Sequence, residues 1–596
     1  MMAQKKSQLC HCRFVRSLLP IATWLPNYKQ DWLRADIIAG LAIWAMTVPQ
    51  ALGYAGIANV PPVYALYTVP LAMVAYAFFG TSRTLCVGPE SAIAIISAAT
   101  VGTLAAGDPG RFLALTSLLA LIVGGLFLLF GLLRLGWVAN FLGRPVLQGF
   151  TQGIALTVII SQIPLLFGTQ GAFTEMVSQT RNLPQLIGLE FSYVGIFQQT
   201  RSIVATIGQT NLPTMALGLP CLVFLFVFRR FKPFAPSALF AVILTVLAVH
   251  LFGLTEHGVV VMGEVETGSN FLAIPMINIS DVLSLLPGAF AIALLGYSIS
   301  LSIAAVGAQK TGETIDANQE LVALGMSNLG AAFSSGFVVC GSLSRGSVIL
   351  RAGGRNQIVS LVNAGLVTLT LFFALPFFFK LPKATLGAIV IVAMYGLLDF
   401  GYLRQLYRVS RGEFMCAIAA LLGVLLLGIL NGVAVGVILA LAVLIHRVSH
   451  PGSAVLGKLP GTDTYRDIIV HPEVETVPGL LIFRFDAPII FPNAGYFTGQ
   501  VKRLINEATM PVREVLIPAQ QINLIDSTGA DQLAKLQAEL EEKDIKLSFA
   551  EAKDALRKTM HSTGLEAKVG TDHFYESIED GVQVFLQHSD PQTDET

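Results

Sequence analysis

The sequence predicts an all-α polytopic membrane domain of about fourteen helices, followed by a small α/β domain. Three observations support this fold class. Of the 596 residues, 54% are hydrophobic and only 13% are charged, whereas soluble domains carry roughly 25% charged residues. The apolar residues form long blocks, most of them close to the roughly 20 residues that span a bilayer. Beyond His446, charged residues become frequent and no stretch is long enough to span. These features disfavour a large soluble enzyme.

The apolar blocks define the predicted membrane helices. They contain few or no charges and comprise residues 36–58, 62–80, 112–133, 214–228, 235–253, 281–306, 358–379 and 411–446. The last block is long enough for two helices joined at Asn431 and Gly432. We therefore place the membrane domain at residues 36–446, with the lipid bilayer as its surroundings. The polar stretch 169–211 is expected to be an extracellular, partly interfacial segment.

Basic residues predict the orientation of the chain. The segment 1–35 is rich in them: Lys5, Lys6, Arg13, Arg16, Lys29 and Arg34. The positive-inside rule places this segment in the cytoplasm, and Arg404, Arg408 and Arg411 indicate a later loop on the same side. The first apolar stretch lacks a small-residue cleavage site, so it is not a secretory signal. We expect a cell membrane, with a bacterial inner membrane favoured because the loops and tail are short.

The charged C-terminal part predicts one α/β domain at residues 479–588, also in the cytoplasm. Short apolar runs at Gly479–Phe485 and Val512–Ile517 alternate with a helical stretch at Ala530–Leu540, as in a small α/β fold. Residues 447–478 are rich in proline and glycine and are interpreted as a linker, and 589–596 as a tail.

Motifs for other partners are missing from the sequence. It has no phosphate-binding Walker pattern, so ATP does not drive it. We expect no cofactor. Cys10, His11 and Cys12 make a poor metal site without a second ligand pair, so no metal is predicted. The formal net charge is zero, and no nucleic-acid partner is expected.

Two segments within the membrane domain are anomalous. Gly88–Gly107 begins with Gly88, Pro89, Glu90 and Ser91, and Ser334–Arg351 contains GSLSR before a few apolar residues. Both segments are expected to be short helices that start part-way through the bilayer. Paired, interrupted segments of this kind indicate a transporter binding site, because helix N-termini present free N–H groups to anions. The alternative is an ordinary pair of helix breaks filled with small, closely packing residues.

Several motifs in the right order resemble the sulfate permease family, which includes pendrin and prestin. They are Val48–Gln50 with Tyr54, Pro62–Tyr67 (PVYALY), Gly80–Arg83 (GTSR) and Gly341–Arg345 (GSLSR). In the soluble part, Arg484–Ala494 and Asp526–Gly529 (DSTG) are similar to the STAS domain that ends these transporters. The resemblance covers the chain from about Tyr28 to about Leu586.

The resemblance implies two inverted repeats of seven spans, arranged as core and gate domains, in a protein that is usually dimeric. It implies a small inorganic oxyanion bound between spans three and ten and carried by an elevator movement. Carried onto this sequence, the contacts are Gln50, Tyr54, Gly88, Pro89, Glu90, Ser91, Ser342, Leu343, Ser344 and Arg345. We expect proton-coupled sulfate uptake; bicarbonate, a dicarboxylate or chloride are alternatives. A non-transporting or voltage-responsive membrane protein is a second class, and a nucleobase permease is disfavoured by Arg345 and the STAS domain.

One departure from the family concerns the coupling ion. Many prokaryotic members carry an acidic residue in span eight, where this sequence has Ile299. We therefore predict that Glu90 is the proton-coupling group, because its protonation removes a negative charge that repels the incoming anion. The alternative is a permanent ion pair between Glu90 and Arg345, which leaves exchange independent of protons.

The remaining acids and hydroxyl groups have weaker roles. Asp281, Asp316 and Glu320 lie near span ends and are expected to be solvated helix caps; the alternative is that they are ion ligands. Ser527 and Thr528 are possible phosphoacceptors, by similarity to STAS domains of bacterial anti-sigma-factor antagonists. The alternative is that Asp526, Ser527 or Thr528 simply caps the helix that follows.

Overall fold

The computed structural model describes residues 19–105, 107–137, 143–173, 196–231, 236–263 and 271–589. The predicted N-terminal segment and the polar stretch after residue 169 are thus described only in part, and the Cys10–Cys12 motif and nearly all of the tail lie outside the described residues. The chain divides into two compact units, Met1–Ala440 and Leu441–Thr596.

Long helices dominate the first unit, and the chain is a multi-pass membrane protein. We label the principal helices α1 Leu33–Ala58, α2 Pro62–Phe79, α3 Ser91–Gly102, α4 Pro109–Leu132, α5 Arg144–Phe167, α6 Leu212–Phe231, α7 Ser237–Phe252, α8 Ile279–Thr311, α9 Ala317–Phe333, α10 Leu343–Ala352, α11 Ile358–Leu369, α12 Lys383–Tyr395, α13 Arg411–Leu427 and α14 Ile429–Ser449. Helix α14 begins in the first unit and ends in the second. Helix α11 continues through a π-helical turn to Phe378. Two-residue strands, β1 Val87–Gly88 and β2 Cys340–Gly341, precede α3 and α10.

Hydropathy and length support the membrane assignment. Within the described ranges, eight helical stretches are long and apolar enough to cross a membrane, and α3, α7 and the later part of α14 are shorter apolar helices. Short amphipathic helices at Ile196–Thr206 and Phe400–Val409 connect principal helices. The first of these packs against α5, and residues 174–195 of the predicted extracellular segment lie outside the described part.

The helix packing repeats after seven helices. The packing of α1 against α11 corresponds to that of α8 against α4, seven helices later. In the same way, the contact between α4 and α9 corresponds to that between α11 and α2, and the contact between α5 and α13 to that between α12 and α6. This exchange is the pattern of two inverted seven-helix repeats. Helices α1–α4 and α8–α11 form one set, the core domain. Helices α5–α7 and α12–α14 form the other, the gate domain.

Small residues permit close helix crossings in the gate domain. At Gly149 of α5, an added Cβ atom would lie 2.0 Å from the carbonyl oxygen of Ala417 in α13. No other residue type fits there, because the two backbones are already in contact. Such small-residue contacts are typical of membrane helices, which lack a hydrophobic force between them.

The second unit is an α/β domain around a six-stranded sheet. Its strands are β3 Ser453–Lys458, β4 Tyr465–Asp467, β5 Leu480–Phe485, β6 Glu514–Pro518, β7 Lys546–Ala550 and β8 Phe574–Tyr575, in the order β4-β3-β5-β6-β7-β8. Strands β5 to β8 are parallel, and β3 and β4 add antiparallel neighbours at one edge. The helices are α15 Ala494–Glu507, α16 Ser527–Glu541, α17 Asp554–Ser562, α18 Leu565–Val569 and α19 Ile578–Ser589.

The segment 447–478 differs from its interpretation as a linker. It contains β3 and β4, and β3 pairs with β5 from Ser453–Phe485 to Val455–Phe483. Its prolines and glycines lie mainly in the turns around these short strands rather than in an extended connection. The sheet therefore begins about 25 residues before the predicted start of the domain at residue 479.

Candidate functional site

The starts of α3 and α10 meet in the core domain. In the antiparallel pair of β1 and β2, Val87 lies opposite Gly341 and Gly88 opposite Cys340, and the Ser342 amide donates to the Cys86 carbonyl at 3.1 Å. Each strand leads within three residues into its helix. The helices have 12 and 10 residues, or about 18 and 15 Å, which is roughly half of the hydrocarbon thickness. The two half-helices predicted from the sequence are therefore present, with their N-termini together.

A buried carboxylate holds the chain that leads into α3. Glu320 of α9 is 1% exposed. Its Oε2 accepts from the Tyr76 hydroxyl at 2.6 Å, and its Oε1 accepts from the Thr81 amide (2.8 Å), the Thr81 hydroxyl (2.6 Å) and the Ser82 amide (3.0 Å). The prediction of a solvated cap at Glu320 was wrong. Asp316 caps α9, and Glu320 lies one turn further along, on the face that packs against α2.

Neutral polar side chains hold the chain that leads into α10. The Asn328 amide group forms two hydrogen bonds with Val339, one to its carbonyl (3.0 Å) and one from its N–H (2.9 Å). Thr68 Oγ1 accepts from the Phe337 amide at 3.2 Å. Ser300 Oγ of α8 accepts from the Gly341 amide at 2.8 Å. These bonds satisfy backbone groups that no helix or sheet would otherwise pair inside a bilayer.

Arg345 lies in the first turn of α10 and is fully buried, with 0% exposure. Its Nη2 donates to the Pro89 carbonyl at 2.9 Å, while Nε and Nη1 have no hydrogen-bond partner among the described residues. The guanidinium lies against Gly88, where an added Cβ would be 3.3 Å from both Nη1 and Nη2. Glycine therefore lets the guanidinium approach the backbone of β1 this closely, and a Cβ atom at this position would displace it by a few tenths of an ångström.

Glu90 and Ser91 lie at the start of α3. Glu90 is the N-cap residue with an extended backbone, and its side chain makes no capping hydrogen bond. Glu90 is half-buried and lies in the electrostatic field of Arg345. Within the described structure, however, the two side chains do not form an ion pair within 4.0 Å. Ser91 Oγ is buried near Tyr54 and Glu90 without a hydrogen bond of standard geometry to either.

Helix α1 contributes Gln50 and Tyr54 to the same neighbourhood. Both are buried, and their four-residue spacing places them on one face of the helix. Tyr54 interacts electrostatically with Glu90 and Arg345, and Gln50 Oε1 is buried without a hydrogen-bond partner in the described structure. Helix α1 packs against both α3 and α10.

The remaining predicted contacts lie at the start of α10. Ser342 is buried, and its hydroxyl lies 3.1 Å from that of Ser344. Leu343 is 53% exposed and Ser344 is also exposed, so these two side chains border open space rather than the packed core. On α8, Ile299 is half-buried between the buried Ser298 and Ser300.

In the second unit, the predicted phosphoacceptor motif starts α16. Asp526 is the N-cap: Oδ1 accepts from the Gly529 amide at 2.7 Å, and Oδ2 accepts from the Phe491 amide at 2.8 Å. Ser527 and Thr528 follow in the first turn and are exposed. The cap is therefore Asp526, and both hydroxyl groups are accessible.

The chain is similar to known transporters over nearly its whole length. Residues 33–420 match the model of the sulfate permease family, and residues 471–581 match that of the STAS domain. A Mycobacterium tuberculosis protein named "Probable sulfate transporter" is 34% identical over 570 residues, 95% of this chain and 98% of that protein. "Sulfate transporter 4.1, chloroplastic" of Arabidopsis thaliana is 29% identical, covering 96% of this chain and 83% of that protein.

Solved structures share the fold. The murine Solute Carrier 26 family member A9 anion transporter in the inward-facing state superposes with a TM-score of 0.85 at 24% identity, covering 97% of this chain and 95% of that chain. The transmembrane domain of a cyanobacterium bicarbonate transporter, BicA, gives a TM-score of 0.56 at 21% identity, covering 69% and 98%. Together with the sequence matches and the motifs at β1, α3 and α10, these similarities show that the chain belongs to the sulfate permease family.

Proposed function

We propose that this chain is a secondary active anion transporter that binds a small oxyanion between the starts of α3 and α10. The observation that carries this proposal is Arg345, which is fully buried at the meeting point of two helix N-termini, with Nε and Nη1 unpaired among the residues that the structure describes. A buried, incompletely paired guanidinium is costly. An oxyanion offers planar, charge-assisted hydrogen bonds to the free nitrogens, and the two helix ends add their partial positive charge.

Sulfate is the favoured substrate. Curated relatives that align along nearly the whole chain are named as sulfate transporters, and a divalent tetrahedral oxyanion can accept bonds from Arg345 and the serine hydroxyl groups together. Bicarbonate, a dicarboxylate or chloride are the alternatives, since BicA shares the architecture. The site selects among these anions by how well the hydrogen-bond acceptors of each anion match the donors of the site.

Glu90 is proposed to couple transport to protons. Its carboxylate is half-buried at the start of α3 and interacts with Arg345 through space. Arg345 donates to Pro89 instead of forming a contact ion pair with Glu90, which supports coupling over the permanent pair. A protonated Glu90 repels the incoming anion less, so proton and anion bind together. Intramembrane acids of this kind mark ion pathways by default.

The two helix sets support an elevator movement of the core domain against the gate domain. The proposed anion contacts lie on the core helices α1, α3 and α10 or within three residues before α3 and α10, so they can travel as one body. We further propose that the protein is a homodimer in a cell membrane, with a bacterial inner membrane favoured. The N-terminus and the STAS domain then lie in the cytoplasm, as the positive-inside rule predicts.

The STAS domain is proposed to act in dimerisation, trafficking or partner docking. Ser527 and Thr528 remain possible phosphoacceptors because both are exposed at the N-terminus of α16, where a phosphate is electrostatically favourable. Phosphopeptide mass spectrometry of protein from its native cells tests this. A chain without phosphate on either residue under all growth conditions contradicts the phosphoacceptor role.

Radiolabelled sulfate uptake into proteoliposomes tests the proposed function. Uptake is measured with and without an inward proton gradient, in competition with bicarbonate and dicarboxylates. Gradient-driven accumulation of sulfate that resists both competitors is the expected result. Flux of a competitor without sulfate uptake reassigns the substrate, and the absence of any anion flux contradicts the transporter proposal.

A further inference from the structure

The short helix Phe400–Val409 connects two membrane helices, α12 and α13, and is therefore held at one face of the bilayer. Asp399 caps its start, with Oδ1 accepting from the Tyr402 amide at 2.9 Å. Ser410 ends it and also caps α13. Both α12 and α13 pack against α5 of the gate domain, so the position of this short helix is fixed at both of its ends.

One face of the short helix is anchored to the gate domain. Leu403 and Leu406 are buried and pack against Ala417 of α13, with Tyr402 and Phe414 at the edge of this small cluster. The helix is thus fixed to the protein by its apolar face, and the opposite face is turned away from it.

The outward part of the short helix combines aromatic and basic side chains. Phe400 and Tyr407 are 60% and 54% exposed, and Arg404 and Arg408 are also exposed. The four-residue spacing places the two arginines side by side. Aromatic rings next to basic groups are typical of helices that lie in the headgroup region of a membrane.

Two further arginines extend this basic surface. The Arg144 guanidinium lies 5.0 Å from the ring centre of Tyr402, and that of Arg411 lies 5.9 Å from the ring centre of Tyr407. The acids nearby are Asp399, which caps the helix, and Glu413 in the first turn of α13. Among the residues that the structure describes, Arg404 and Arg408 have no acidic group within 4.0 Å, so the surface keeps a net positive charge.

We propose that this basic surface, formed by Phe400–Val409 with Arg144 and Arg411, binds the headgroups of anionic phospholipids. Guanidinium groups form paired hydrogen bonds with phosphate oxygens, and the exposed Phe400 and Tyr407 enter the apolar boundary beneath the headgroups. A free phosphate ion satisfies the arginines but leaves these two rings in water. Bound anionic lipid stabilises the gate domain through α12, α13 and α5.

The test uses the full-length protein in nanodiscs of phosphatidylcholine alone or mixed with phosphatidylglycerol. Retained phosphatidylglycerol is counted by native mass spectrometry, and the midpoint of thermal unfolding is recorded. We expect phosphatidylglycerol to raise the midpoint. We expect the double variant Arg404→Gln/Arg408→Gln to bind phosphatidylglycerol about thirtyfold more weakly, since each basic residue near an anionic surface contributes about fivefold.

The matched control is Arg466→Gln/Arg503→Gln, which removes two exposed arginines from the second unit. It is expected to retain the lipid-dependent shift of the midpoint. Full retention of that shift in the Arg404→Gln/Arg408→Gln variant overturns the proposal. So does a lowered midpoint in pure phosphatidylcholine, which indicates a purely structural role, or an equal stabilisation by soluble glycerol phosphate, which indicates a site for free phosphate.

Discussion

Arg345 Nη2 donates a hydrogen bond to the carbonyl oxygen of Pro89 at 2.9 Å, which joins the first turn of α10 to the residue just before Glu90. This bond aligns the two half-helices and leaves Nε and Nη1 of the same guanidinium free of partners in the described structure. The arginine thus has two functions in the proposed account: one nitrogen positions the site, and two are available to the anion. Variants at Gly88, Glu90, Glu320 and Arg345 therefore separate the groups that hold the site from those that bind the anion.

Replacing Gly88 by alanine tests the approach of the guanidinium to β1. The new Cβ lies 3.3 Å from Nη1 and Nη2 of Arg345, so the guanidinium must shift by a few tenths of an ångström. We expect the KM for sulfate to rise about tenfold with little change in thermal stability. Gly125→Ala is the matched control, because an added Cβ there meets no atom of the described residues within 4 Å. An unchanged KM in Gly88→Ala contradicts the geometry described for Arg345.

Glu90→Gln tests the coupling of anion uptake to protons. The amide has the shape of a protonated carboxyl group and carries no charge. We expect uptake in this variant to persist and to lose its increase as external pH is lowered, because no group near Arg345 then changes charge. Proteoliposome uptake across a range of external pH measures this. A well-folded Glu90→Gln protein with the pH dependence of the wild type shows that another group couples the proton.

Glu320→Gln tests the other buried acid, which has a structural role. Its carboxylate accepts four hydrogen bonds from Tyr76, Thr81 and Ser82 on its two oxygens. Glutamine keeps only one acceptor oxygen, and its NH2 group cannot accept the bonds made to the other. We expect destabilisation of about 3 kcal/mol, seen as a lower midpoint of thermal unfolding in detergent. Glu256→Gln, in an exposed loop, controls for loss of a carboxylate. Wild-type stability of Glu320→Gln is incompatible with the role assigned to this residue.

The ionised carboxylate of Glu579 stabilises the second unit at pH values above the acidic range. Hydrogen bonds from Lys458, Tyr465 and Gln583 lower the pKa of Glu579 to about 2, against about 4.3 in an unfolded chain. Because this pKa is lowered in the folded protein, ionised Glu579 stabilises the fold fully at pH values above the pKa of the unfolded chain. That stabilisation is lost as pH falls from about 4 towards 2. Solvent screening limits the contribution to about 1 kcal/mol.

Hydrogen exchange at the β3 and β4 amides of the full-length protein, corrected for intrinsic rates, measures this effect. In the wild type, protection is expected to decrease through the acidic window. In Glu579→Gln, protection is expected to be lower near neutral pH and to change less on acidification. Equal acid dependence in the two proteins argues against an ionised Glu579 as the cause.

The membrane spans and the two half-helices were predictable because they depend on local sequence features, whereas the two inverted repeats were implied by the resemblance to the family. Apolar blocks define the spans, and the glycine, proline and charged residues at Gly88–Glu90 and Gly341–Arg345 interrupt them. Whether Glu90 and Arg345 form a contact pair was not predictable. That depends on side-chain geometry between segments some 250 residues apart, and the structure shows the bond to Pro89 instead.

The supporting shell of the site was missed for a related reason. Glu320, Asn328 and Ser300 lie on apolar helices, and a polar residue in such a position is itself a signal of function or of a buried partner. Their partners, Thr81, Val339 and Gly341, are set by tertiary packing. The strands β3 and β4 were missed because short strands flanked by proline and glycine resemble a linker in composition.

Sulfate binding to purified full-length protein, measured by titration calorimetry, tests the central claim most directly. The wild type and the control Arg111→Gln, whose ion pair with Asp281 is partly exposed, are expected to bind sulfate with the same affinity. Arg345→Gln is expected to bind at least thirtyfold more weakly, because a buried charged hydrogen-bond donor is lost from the site. Wild-type affinity in an Arg345→Gln protein with an unchanged midpoint of thermal unfolding would contradict an anion site at the starts of α3 and α10.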